Sequence, residues 1–274
     1  IDPATYTDPN SSSINGTLKG NQDLDEEVAN TRTLGITVQP LANLSFSLDW
    51  YDIRLRNAIN TAFPQEAANN CVDLPTLDNQ FCTLITRDPD SGGIVDFVQQ
   101  PVNVARFTTR GYDFRILYVL RPVDLKIERD IGVFRFALAG NKLDDLTFVN
   151  LPGAIPDSDL GEEDVPDLQY NFDLNWERGA VSVTYGYNYF ARTQRYTDEQ
   201  RAANPDISAA RYFYYSSKKT HDVSARYSFP SGLSLYGGIN NALDQEPDIG
   251  QSFYPVSAVG RFFFAGIQYS RPAP

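Results

Sequence analysis

Residues Leu168–Glu177 read LQYNFDLNWE. Leu168, Tyr170, Phe172, Leu174 and Trp176 take every second position, with Gln169, Asn171, Asp173, Asn175 and Glu177 between them. Side chains of a strand alternate between its two faces, so this stretch makes one wholly apolar face and one wholly polar face. At about 3.3 Å per residue and about 45° of tilt, such a strand just crosses the hydrocarbon layer of a bilayer.

The pattern recurs on both sides. Upstream, Leu34, Ile36 and Val38 alternate with Thr33, Gly35 and Thr37, and after a turn at Pro40–Asn43 come Leu44, Phe46, Leu48 and Trp50. The phase changes after Tyr51, where Ile53 and Leu55 alternate with Asp52, Arg54 and Arg56; a bulge or an exit from the membrane layer produces such a slip. Tyr112, Phe114, Ile116, Tyr118 and Leu120 form a third set, and Phe134, Phe136 and Leu138 a fourth. Downstream of the decapeptide stand Val181–Tyr189, Val223–Phe229, Leu233–Ile239 and Phe263–Tyr269, which brings the expected strands to nine. Connections after the first, fifth and seventh strands are short and rich in Pro, Asn or Gly; those after the second, fourth, sixth and eighth are long and polar. Short turns on one rim and long loops on the other are the plan of an outer-membrane barrel. Tyr118, Trp176, Phe229 and Tyr269 beside the short turns fit a periplasmic aromatic girdle.

The fold expected is therefore all-β: an antiparallel, up-and-down transmembrane β-barrel. Nine is odd, whereas single-chain bacterial barrels close with an even number of strands, so the chain reads as the C-terminal part of a larger barrel. All of residues 1–274 belong to that one domain, with extracellular loops at 1–30, 60–106, 144–167, 193–211 and 241–259. A soluble β-sandwich also alternates, with its apolar face inward; the loop asymmetry and the charge-bearing opposite faces favour the membrane.

Composition agrees and excludes. Aromatics are abundant, with 16 Tyr, 17 Phe and 2 Trp, and no apolar run is long enough for a membrane helix. A net charge of −12 argues against nucleic acid, which needs a basic surface. The chain contains no methionine and opens IDPATYTDPN with no signal segment, as expected if a leader has been removed or if it is an internal piece. Cys71 and Cys82, alone in a polar stretch, read as a loop disulfide in an oxidising compartment; no second Cys or His pair completes a zinc site.

Several spaced motifs then carry a resemblance. Gly20–Glu27, GNQDLDEE, is similar to the Gly-Asn-Pro-Asp-Leu-Lys-Pro-Glu loop of TonB-dependent outer-membrane receptors, with Gln22, Asp25 and Glu26 replacing proline, lysine and proline. It is followed by Leu34-Gly35 and by Trp50-Tyr51-Asp52-Ile53, as in that family. Arg110-Gly111-Tyr112-Asp113 resembles the start of the next strand. Asn240-Asn241-Ala242-Leu243-Asp244 resembles the asparagine–leucine–phenylalanine–aspartate signature, with Ala242 in place of phenylalanine, and Gly260-Arg261-Phe262-Phe263 the opening of the last strand. The chain ends Tyr269-Ser270-Arg271-Pro272-Ala273-Pro274 instead of in the family's terminal aromatic.

The resemblance implies a barrel of about 22 strands plugged by an N-terminal domain, in the outer membrane of a Gram-negative bacterium. It implies import of a scarce ligand, a ferric siderophore foremost, with energy from the TonB complex. The plug and the TonB-binding segment would lie outside this chain. Its partners would be outer-membrane lipid and lipopolysaccharide, TonB through the absent N-terminal part, and the small-molecule ligand. A carbohydrate or cobalamin receptor of the same family, a porin-like channel and a surface enzyme are the alternatives.

Candidate ligand residues are arginines beside aromatics, which suit anionic or aromatic ligands through charge-assisted bonds and stacking. Arg192, Arg195 and Tyr196, with Arg211, Tyr212, Tyr214 and Tyr215, flank one long loop; Arg54 and Arg56 form a second group. No catalytic residue, cofactor or metal is expected. His221 is followed by Asp222, but neighbouring strand residues point to opposite faces, so Asp222 does not orient the imidazole. Asp157–Asp164 is acidic but departs from the EF-hand pattern and reads as a solvated loop.

Overall fold

The computed structural model describes residues 15–61, 64–73, 76–149, 156–251 and 254–270. Parts of the expected loops (residues 1–14, 62–63, 74–75, 150–155 and 252–253) and the terminal residues 271–274 lie outside these. Two compact units are present: one of residues 1–30, 54–107 and 148–157, the other of residues 31–53, 108–147 and 158–274.

In chain order the strands are β1 (Asn15–Leu18), β2 (Val28–Leu41), β3 (Leu44–Thr61), β4 (Ile85–Arg87), β5 (Ile94–Gln99), β6 (Pro101–Leu120), β7 (Val133–Val149), β8 (Asp157–Ser158), β9 (Leu168–Arg178), β10 (Val181–Phe190), β11 (Thr193–Gln194), β12 (Tyr214–Tyr215), β13 (Lys218–Ser228), β14 (Leu233–Asn240) and β15 (Phe262–Tyr269). The helices are α1 (Pro64–Asp73) and α2 (Asp198–Ala203).

The main sheet runs β15-β14-β13-β10-β9-β7-β6-β3-β2, with β8 added beside β7. Each of the nine strands on that path contains one of the alternating segments. Pairings from β7 to β15 are antiparallel. The opening decapeptide, now β9, sits between β7 and β10, with Phe134↔Trp176, Phe136↔Leu174 and Leu138↔Phe172 on one side and Trp176↔Val183, Phe172↔Tyr187 and Tyr170↔Tyr189 on the other.

That register sorts the chemistry by face, because residues directly opposite one another project to the same side. On the apolar side Phe136 meets Phe172 at 6.5 Å, Phe134 meets Trp176 at 6.5 Å, and Tyr170 stacks on Tyr189 at 4.9 Å. On the other side Asn175 donates to Ser182 and Thr184 at 3.1 and 3.0 Å, Arg135 pairs with Glu177 at 2.5 Å, and Asn188 donates to Thr220 and Asp222 at 3.1 and 3.2 Å. Apolar strand residues stay exposed, such as Leu34 at 74%, Phe263 at 65% and Ile267 at 72%. In water such a face costs free energy along its whole length; in acyl chains it is the favourable surface. Trp176 turns its indole N–H to the Ile131 carbonyl at 2.9 Å beside the short β9–β10 turn, the amphipathic placement of an interfacial tryptophan. In that turn Gly179 takes a φ of +57°, which an L side chain disfavours.

Strands run past the segments that alternation marks. β6 begins at Pro101 and β7 continues to Val149, so strand occupies ground expected to be loop at 101–106 and 144–149. Alternation is imposed only where one face meets lipid; beyond it a strand carries polar residues on both faces and leaves no period in the sequence.

The other unit holds a buried core cluster. Ala67, Cys71, Phe81, Leu84, Phe97 and Val102 pack together, and the Cys71–Cys82 disulfide expected from sequence staples α1 to the 3-10 turn Cys82–Leu84. Asn79 fixes the link: its amide donates to the Cys71 carbonyl at 3.1 Å and its oxygen accepts from the Phe81 and Cys82 N–H groups. β5 pairs in parallel with β1 and antiparallel with β4.

The family-like asparagine motif acts as a loop clamp. Asn241, at a φ of +50°, donates its N–H to Asp222 at 2.7 Å and exchanges two bonds with Gln245. Asp244 accepts from the Arg261 N–H at 2.7 Å, so the start of the loop is tied to the threshold of β15.

Candidate functional site

Beyond β10 the chain leaves the main sheet as a hairpin. Its stem is β11 and β12, paired Thr193↔Tyr215 and Gln194↔Tyr214. Between them α2 starts at a Thr197-Asp198-Glu199-Gln200 capping box, in which Thr197 Oγ1 accepts from the Gln200 N–H at 3.2 Å and Gln200 Oε1 accepts from the Thr197 N–H at 3.1 Å. A 3-10 turn, Ala210–Tyr212, leads back into β12.

This hairpin brings its arginines onto its rings. Arg192 lies over Tyr214 at 4.6 Å, Arg195 over Tyr215 at 4.6 Å and Arg211 over Tyr212 at 4.8 Å. Arg201 reaches Phe213 at 5.4 Å and pairs with Asp198. A guanidinium over a tyrosine face is held flat, and Arg195 also donates a terminal N–H to the Ile249 carbonyl. Tyr215 is buried; its hydroxyl donates to the Gly250 carbonyl at 2.9 Å. Burial, and next the Glu163 carboxylate, push its phenol above the usual range, so it stays a neutral donor.

A cleft of about 1010 Å³ opens against this array. Six of the nine residues expected from sequence line it: Arg192, Arg195, Arg211, Tyr212, Tyr214 and Tyr215. Tyr196 is half-buried beside the capping box and outside the lining, and Arg54 and Arg56, exposed on β3, are not part of it either. The lining also includes Lys142, Asp167, Leu168, Tyr189 and Asp248, which sequence reasoning missed. The readable signal was Lys142, a cation placed two residues beyond Gly140 on the same alternation as Phe134, Phe136 and Leu138.

Lys218, outside the lining, anchors one of its residues. It is 1% exposed, and its ammonium pairs with Asp248 at 2.8 Å while donating to Ser216 Oγ and the Glu246 carbonyl, each at 3.1 Å. Burial works to raise the Asp248 carboxyl, but Lys218 and the Ser216 N–H and hydroxyl outweigh it and hold the group below the usual carboxylate range. A smaller cleft, about 380 Å³, lies on the polar side of the sheet among Asn141, Gln169, Asn171, Asn188 and Phe190. Tyr254 stands beside it, its ring 5.7 Å from Phe190 and its hydroxyl donating to Gln169 at 3.2 Å.

Other candidates resolve simply. His221 lies on the apolar face, its Nδ1 2.7 Å from the Tyr185 hydroxyl, while Asp222 is on the polar face with Asn188 and Asn241. Among the described residues no group of three or more His, Cys, Asp or Glu is arranged to hold a metal ion, Asp157–Asp164 included.

The match that decides the family spans most of the chain: residues 2–242 fit the TonB dependent receptor-like β-barrel. The chain belongs to that family. Solved barrels agree in fold. A mutant of the ferric enterobactin receptor of Pseudomonas aeruginosa is similar at a TM-score of 0.55 and 16% identity, covering 91% of this chain and 32% of its own. The siderophore receptor PirA of Acinetobacter baumannii gives 0.56 and 16%, covering 92% and 33%. The receptor in the FpvAI–pyocin S2 complex gives 0.52 and 17%, covering 90% and 28%. The chain thus spans about a third of the length of the receptors it resembles. No curated protein sequence matches it.

Proposed function

We propose that this chain is part of the wall of an outer-membrane receptor that takes up a scarce ligand, a ferric siderophore, with energy delivered through TonB. The observation that carries the reading is the two-faced sheet of a receptor-family chain: aromatic rings on one side, and on the other a hydrogen-bonded polar surface from Asp113 to Gln268. Apolar rings suit acyl chains, and an amide- and carboxylate-lined surface suits a wet lumen. The path from β2 to β15 is open, and an open edge in lipid leaves N–H and C=O groups without partners, so the wall needs further strands. Siderophore receptors among the similar structures favour an iron chelate over cobalamin or sugar. We assign Arg192, Arg195, Arg211, Tyr212, Tyr214 and Tyr215 to binding an anionic group.

The test is uptake of radiolabelled ferric siderophores, cobalamin and oligosaccharides by cells with and without the gene. Loss of uptake of one ferric siderophore, both on deletion and on removal of TonB, is the expected result. Uptake that persists without TonB would make the protein a passive channel and refute the reading.

A further inference from the structure

Given the uptake reading, on which this rests, we infer that the polar wall of the chain selects a ligand rich in hydrogen-bond donors and poor in negative charge. The contact is a track along Asn141, Asn171, Asn188, Asp173 and Asp222. Two clefts on the polar face make it. The first, of about 380 Å³, follows the rows Ala139–Asn171–Asn188 and Asn141–Gln169–Phe190. The second, of about 230 Å³, continues past Asp173, Asp222 and Phe264, and Asn171 and Asn188 line both. Gly186 of β10 stands between Asp173 of β9 and Asp222 of β13. A Cβ there would meet Asp173 Oδ1 and the Asp222 Cβ, each at 3.5 Å, so the missing side chain leaves a gap between the two carboxylates.

Hydrogen bonding sets the polarity of the track. Three asparagines each give an amide N–H to an aspartate: Asn141 to Asp113 at 2.8 Å, Asn171 to Asp173 at 3.2 Å and Asn188 to Asp222 at 3.2 Å. An asparagine whose nitrogen is turned to a carboxylate presents its carbonyl oxygen on the other branch. Among the described residues, none donates to those three oxygens. Carboxylates and carbonyls alike only accept, so the track asks its occupant for O–H or N–H groups. Among the described residues, no lysine or arginine lines either cleft. Cations that share this face on β7 and β13 are engaged elsewhere: Arg135 with Glu177, Lys218 with Asp248, and Arg226 with Gln268 at 2.7 Å. A cleft lined by one sign of charge focuses its field and turns away ligands of that sign. Phe190 in one cleft and Phe264 in the other add ring faces for an ammonium or a methylene arm. An anionic group held by the rim arginines is compatible with this wall; a chelate anionic on every side is not.

The full-length receptor, extracted in mild detergent, is dialysed against radioiron held by one of three chelators: a hydroxamate with free hydroxyl arms, a hydroxamate with free ammonium arms, or an anionic catecholate. Wild type should retain both hydroxamates, and the catecholate about tenfold less. Asn171→Lys places a cation in both clefts, at an exposed position, and should reverse that order. Asp173→Asn should weaken the ammonium form and spare the hydroxyl form, which separates the two sources of donors. Equal retention of all three by wild type overturns the inference, as does an order that Asn171→Lys leaves unchanged. Retention of the catecholate alone also overturns it, and leaves the uptake reading standing. A receptor whose heat-modifiable gel shift shows a folded barrel, but which retains none of the three, sinks the iron-chelate reading and this inference together.

Discussion

Asp248→Asn should loosen the arm after β14 without disturbing the sheet. Asp248 supplies the only charge that pairs with Lys218 among the described residues, at 2.8 Å, and that lysine is 1% exposed. After substitution the ammonium keeps only Ser216 Oγ and the Glu246 carbonyl. Breaking a buried pair costs about 3–5 kcal/mol because the surviving charge remains desolvated. The Asp248 side chain is 31% exposed, and water can soften the loss, so the low end, about 3 kcal/mol, applies. That is roughly a hundredfold rise in the open population of the arm. Hydrogen exchange of the amides of residues 241–251 reads that population directly. The same experiment has a pH arm. The folded carboxyl lies below its ordinary range, so its stabilisation is complete at neutral pH. It is lost as pH falls through the folded value, and protection should fall below about pH 4 in wild type. The variant should lack that drop. Unchanged protection in Asp248→Asn at neutral pH would refute the pin.

Three further outcomes follow from the same geometry. Leu174→Arg, on the apolar face near the middle of β9, should destabilise the folded barrel in vesicles by about 2–4 kcal/mol; Asp173→Arg, facing the small residues Ala137 and Gly186, should change urea stability by about 0.5 kcal/mol or less. Cys71→Ser with Cys82→Ser should weaken the unit around Phe81 by about 3 kcal/mol for a sequence separation of 11, read as faster proteolysis between residues 64 and 99. His221→Phe should leave uptake unchanged and cost about 1 kcal/mol, because the Tyr185 hydroxyl loses its partner; abolished uptake would reopen a chemical role for the imidazole.

How much of this was legible depended on whether lipid or some other surface imposed the pattern. Leu168–Glu177 disclosed its faces because only one side meets acyl chains, and each strand of the main path repeated that signal. Where strands leave the lipid the signal ends: nothing in Pro101–Arg106 announces that β6 has already begun. The parallel pairing of β1 with β5, Asn15 to Asp96, joins segments far apart in sequence and leaves no local trace. The arginine–tyrosine cluster was visible as composition around one loop, but Arg54 and Arg56, equally basic, stay outside the cleft. Asp248 and Lys218 lie thirty positions apart, with no period to link them.

The two faces of β9 are read by labelling residues 168–177 one at a time with a nitroxide in the complete barrel in vesicles and measuring collisions with oxygen and with a water-soluble nickel chelate. Oxygen maxima are expected at 168, 170, 172, 174 and 176 and nickel maxima at 169, 171, 173 and 175. A flat profile, or the opposite phase, would contradict the membrane reading.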